Sequence, residues 1–123
     1  MINSMKPKNI KHMQSQSRKL HVRRDKPNTF MVESVSNPLV HHLVSITFGS
    51  DNQIHAQCTC QWAWHRGVAC SHVMAALEYL ALRKGRRLSF WPTEEEAQRQ
   101  KRRVFYLHSE EIKDGIWVTS RSA

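Results

Sequence analysis

Two short pairs constrain this chain more than anything else in it: Cys58-Thr59-Cys60 and Cys70-Ser71-His72, separated by nine residues. Together they use all three of its cysteines. Three thiolates and one imidazole make the closed tetrahedral set that a structural Zn²⁺ prefers, with no position left open for water or substrate. The expected cofactor is therefore one zinc ion with a structural role, and the candidate ligands are Cys58, Cys60, Cys70 and His72. A disulfide is one rival use, but it leaves a thiol over, and a Cys58–Cys60 bridge would close a very tight loop. Buried free thiols acting as small hydrophobes are the other. His65 lies between the pairs without forming a close pair with Cys70, so His72 is preferred as the fourth ligand.

The C-x-C pair, a spacer ending in Gly67-Val68-Ala69, and a C-x-H pair running into an apolar helical stretch resemble the SWIM-type zinc finger. The resemblance covers roughly residues 30–82, with Gly67 matching the small residue before the second pair. It implies a strand-rich segment ahead of Cys58, which residues 29–57 can supply, and carries the ligand role onto Cys58, Cys60, Cys70 and His72. SWIM-type fingers occur in chromatin remodellers, transposases and recombination-associated proteins and are proposed to bind DNA or other proteins. The spacings of the two-Cys, two-His finger are absent, so helix-in-groove reading of bases is not implied. Nothing before residue 29 or after about residue 85 is covered.

Around the pairs, Phe30-Met-Val-Glu-Ser-Val-Ser and Leu43-Val-Ser-Ile-Thr-Phe are rich in β-branched and aromatic residues, and Gly49-Ser-Asp-Asn follows the second as a turn signal. A third strand ending at Cys58 would complete a meander, and residues two apart on an extended chain face the same side, so both sulfurs of C-x-C can reach one ion. Residues 71–84 read as a helix closed by Gly85, with Ser71 as a possible cap and an apolar stripe through Val73, Leu77 and Leu80. At that helix start the backbone dipole favours thiolate over thiol at Cys70. Thr93 and Glu96 form a capping box for a second, solvated helix, in which Glu95 and Arg99 can pair. Val104-Phe-Tyr-Leu and Ile116-Trp-Val-Thr read as a terminal hairpin. The expected fold is thus α+β: a short antiparallel meander leading into a zinc knuckle and a helix, then a second helix and a C-terminal hairpin. In domain terms, residues 1–28 read as a basic disordered arm, 29–85 as the zinc-binding domain and 86–123 as an extension packed on it.

Charge bears on function. The chain of 123 residues carries a net charge of +9, and residues 1–28 hold eight Lys or Arg against the single Asp25. Low hydrophobicity with high charge is the composition of a disordered segment, and such an arm can track phosphates; a solubilising tail reads equally well. Its candidates for nucleic-acid contact are Lys19, Arg23 and Arg24. Further basic residues recur at Arg83, Lys84, Arg86 and Arg87, and between the ligand pairs Trp64 and Arg66 can stack on a base and meet a phosphate. The reading favoured is a zinc module that binds nucleic acid, DNA ahead of RNA. The alternative is a protein-interaction adaptor displaying Trp91, Trp117 and Tyr106 to a partner protein. No Gly-rich phosphate loop or nucleophile elbow is present, so neither an enzyme nor a small-molecule substrate is expected. With no membrane-length apolar run and no signal-like h-region, the expected setting is intracellular: cytoplasmic, or nuclear in a eukaryote.

Overall fold

The computed structural model describes residues 10–34, 37, 39–59, 70–108 and 115–123. In chain order its elements are α1 (Ile10–Ser17), β1 (Val22–Lys26), β2 (Thr29–Glu33), β3 (His41–Phe48), β4 (Gln53–Cys58), α2 (Ser71–Arg83), β5 (Arg86–Trp91), α3 (Glu94–Gln98), β6 (Val104–His108) and β7 (Ile116–Ser122). The strands form one 7-stranded sheet in the order β1-β2-β3-β4-β6-β7-β5, so the α+β class holds.

The first four strands are the expected antiparallel meander, with one strand more than the sequence indicated. Alternation decides their faces: Phe30 and Val32 on β2, Val44 and Ile46 on β3, and Ile54 and Ala56 on β4 are all buried. The β3–β4 turn takes positive φ at Asp51 (56°) and Asn52 (59°), a conformation that Asp and Asn tolerate better than other side chains. After β4 the sheet changes character. Strand β6 joins β4 in parallel, β7 returns antiparallel to β6 as the expected hairpin, and β5 pairs with the far side of β7.

Helix α2 packs on the face carrying Phe30, Val44, Ile46 and Ile54, and Val73, Met74, Ala76 and Leu77 complete the core. An apolar stripe along one face was expected, but every residue from Ser71 to Glu78 is buried. The second cover is α1, which packs against both α2 and β5.

Residues 10–28, expected within a disordered arm, therefore differ from the sequence reading: they form α1 and β1. Their order comes from specific polar contacts as much as from apolar area. Gln14 is buried and its Oε1 accepts from the Phe90 backbone N–H at 2.8 Å. Arg18 donates from Nε to Glu78 Oε1 and from Nη2 to the Leu88 carbonyl, each at 3.2 Å, tying α1 to α2 and β5. Composition counts such residues as solvated charge; the fold uses them as fasteners.

The second helix is also shorter than expected. The Thr93 cap is formed, with Glu96 N–H donating to Thr93 Oγ1 at 3.2 Å, but α3 ends at Gln98 and Lys101 turns to φ 55°. Ala97 is fully buried against the sheet, so the helix is docked rather than solvated throughout. Among the described residues, no helix is long and apolar enough to cross a membrane.

Candidate metal centre and cationic groove

Cys58 is the last residue of β4, on the same face as Ile54 and Ala56, and so its thiol points toward α2. Two contacts hold that strand end to β3: Thr59 N–H donates to the Leu43 carbonyl and Leu43 N–H donates to Thr59 Oγ1, both at 3.1 Å. Across from it, Cys70 rather than Ser71 caps α2. The Cys70 backbone is extended (φ −114°, ψ 160°), and its Sγ accepts from the Val73 N–H at 3.5 Å. A thiolate serves this position better than a thiol, because it faces the unpaired N–H groups and the positive end of the helix dipole. Ser71 becomes the first helical residue instead.

One step further along the helix, His72 is 7% exposed, and neither Nδ1 nor Nε2 has a hydrogen-bond partner among the described residues. Such a buried imidazole carries a desolvation cost of a few kcal/mol unless something accepts its lone pair. The ligand atoms of Cys58, Cys70 and His72 lie within 4.8 Å of one another. That spread is close to the edge of a zinc tetrahedron, about 3.8 Å for thiolates at bonds of about 2.3 Å. The His42 ring packs on His72 with centroids 4.4 Å apart. Nothing in a strand histidine such as His42 announces in the sequence which ring lies across from it.

Residues 42–81 match the family model of the SWIM zinc finger. No curated protein and no solved structure matches the chain. A SWIM finger is a zinc-binding module, and the donor set at the β4–α2 junction is compatible with one zinc. Bound there, the metal would supply a cross-link between the meander and the helix. Cys60, Trp64 and Arg66 lie outside the described residues.

The basic candidates separate into two groups. Arg24 from β1, Arg83 and Lys84 from the end of α2, and Arg86 from β5 line one groove of about 380 Å³, at the opposite end of α2 from Cys70. Its floor is apolar, with Ile46, Ile54, Leu77 and Val118, and Phe48 and Phe105 also line it. No carboxylate does so among the described residues. Arg86 is held by donating from Nε to Ser120 Oγ at 2.7 Å, and Arg24 by donating to the Pro27 carbonyl. The other basic candidates lie elsewhere. Alternation sends Arg87 and Arg23 to the opposite face from Arg86 and Arg24; Arg23 contacts Met31 Sδ at 3.1 Å, and Arg87 Nε is buried with no hydrogen-bond partner among the described residues. Lys19 is exposed beyond the end of α1.

The aromatics suggested for a protein partner are engaged internally. Trp91 Nε1 donates to Thr119 Oγ1 at 3.0 Å, with Lys11 Nζ 3.6 Å from its ring centroid. Burial, and then the Arg18 charge, lower the pKa of Lys11, against a smaller upward pull from Glu96. Tyr106 accepts from the Gly115 N–H at 3.1 Å and packs between His108 and Trp117.

Proposed function

We propose that this protein is a zinc-stabilised nucleic-acid-binding module, DNA being the favoured partner, and that it is not an enzyme. In this reading Cys60 completes the tetrahedral set with Cys58, Cys70 and His72, and a closed set leaves the metal no catalytic position. The observation that carries the binding reading is the convergence of Arg24, Arg83, Lys84 and Arg86. Two segments far apart in sequence, β1 and the α2–β5 junction, deliver cations to one groove with no lining carboxylate among the described residues. Like charges repel, so gathering them without internal counter-ions favours an anionic partner, and phosphates released from their condensed counterions are the natural one.

The adaptor reading receives less support, because Trp91, Tyr106 and Trp117 are already packed or hydrogen-bonded within the fold. Fluorescence anisotropy of the zinc-loaded chain with labelled DNA across a salt series tests the proposal. Affinity should fall steeply with salt. The Arg83→Gln/Arg86→Gln double variant should bind more weakly with a shallower slope, by about 0.7–0.9 for each phosphate that is no longer neutralised. Absence of binding at low salt, or affinity indifferent to salt, would refute it.

A further inference from the structure

The groove is more than a row of cations, and duplex phosphates alone would leave its floor empty. We infer that it is built for single-stranded nucleic acid, with backbone phosphates on Arg24, Arg83, Lys84 and Arg86 and an unpaired base against Phe48 over the apolar floor. This rests on the nucleic-acid reading above and narrows it to a substrate class.

Three features carry the inference. First, Phe48 is 62% exposed at the end of β3 and lines the groove along with Arg24, Arg83 and Arg86, so an open aromatic ring shares its wall with guanidinium groups. Second, Phe105 on the same lining has the Arg103 guanidinium 5.2 Å from its ring centroid, a cation beside the lining that is itself held by donating from Nε to Asn52 Oδ1. Third, the floor residues Ile46, Ile54, Leu77 and Val118 are almost wholly buried, so the volume beneath the cations is shaped by the fixed core. Cationic grooves with aromatic platforms are how strands without pairing partners are held, since every base has a π-face and a single strand can turn it outward. A duplex keeps its bases stacked inside and offers only phosphates. The cationic rim comes wholly from outside residues 42–81, and part of the floor does too, so this site is what the flanking segments add to the SWIM finger.

The test compares the full-length zinc-loaded chain with labelled oligothymidylate and with a mixed-sequence duplex of equal length. The single strand should bind about tenfold or more tightly than the duplex, with a salt slope near −0.7 for each phosphate engaged, roughly −3 for four. Phe48→Ala should weaken single-strand binding by roughly 5- to 150-fold and leave the thermal transition in place, while Phe48→Tyr should retain binding. Equal affinity for the two DNAs, or no effect of Phe48→Ala, overturns the single-strand assignment but leaves the nucleic-acid reading standing. Failure of both DNAs to bind at low salt, with or without capture of an acidic amphipathic peptide, overturns both.

Discussion

Removing the Arg18 side chain tests whether residues 10–28 belong to the fold. Glu78 is 4% exposed in the middle of α2, and Arg18 is the ion-pair partner found for it among the described residues. Breaking a fully buried pair from one side costs about 3–5 kcal/mol, whereas exposed pairs contribute about 0–1 kcal/mol. Here the Arg18 side chain is 36% exposed, so water can partly replace it. The expected loss for Arg18→Ala is therefore intermediate, about 2 kcal/mol, part of it from the hydrogen bond to the Leu88 carbonyl. For a domain of this size that corresponds to a fall in Tm of roughly 8 °C. Urea unfolding followed by circular dichroism at fixed free zinc gives the number, because a metal that binds only the native state shifts apparent stability. The Arg18→Met/Glu78→Leu double variant should recover most of the loss, since an apolar pair of similar volume leaves no orphaned charge. Arg18→Ala within about 0.5 kcal/mol of wild type would refute the docking of α1, and the basic segment would be a tail after all.

Other perturbations have equally definite outcomes. Gly115→Ala should destabilise by about 2 kcal/mol or more in urea melts, because a Cβ there would run into the backbone carbonyl of Leu107 and β6 and β7 would have to separate. Gly85→Ala should cost only about 1 kcal/mol, since Gly85 sits at φ +70° with open space around it and the penalty is conformational alone. Phe30→Ala should cost about 3–5 kcal/mol, the ring being wholly buried beneath α2. Lys11 has a lowered pKa in the fold, so the unfolded chain binds more protons between that value and 10.5; stability should rise with pH across that window, and Lys11→Met should flatten the rise.

Much of this structure was legible because local chemistry and tertiary placement agree. The meander strands carry alternating β-branched and aromatic residues, Gly85 ends α2 where a left-handed residue is needed, and Thr93 caps α3. The metal centre was legible for a related reason: Cys58 closes a strand and Cys70 and His72 open a helix, so donors from both halves of the pattern come together, while Cys60 lies outside the described residues. What escaped was information held by pairs distant in sequence. Gln14 finds Phe90 and Arg18 finds Glu78 across 76 and 60 residues, and no periodicity announces such polar docking. Arg86-Arg-Leu-Ser-Phe-Trp reads as a basic cluster running into aromatics, yet it is the edge strand β5, with Leu88 and Phe90 alternating into the core. Arg86 and Arg24 stand on the two edge strands of the sheet and still line one groove, a tertiary placement that local sequence does not encode.

Everything proposed for the β4–α2 junction depends on one zinc ion joining the strand to the helix through Cys58, Cys70 and His72. Native mass spectrometry of the intact chain, paired with circular-dichroism melting before and after chelation, tests it most directly. One zinc per chain is expected, with loss of the cooperative transition when the metal is withdrawn and no zinc retained by Cys70→Ser/His72→Ala. A chain that melts unchanged without metal, or a double variant that still holds zinc, would contradict it.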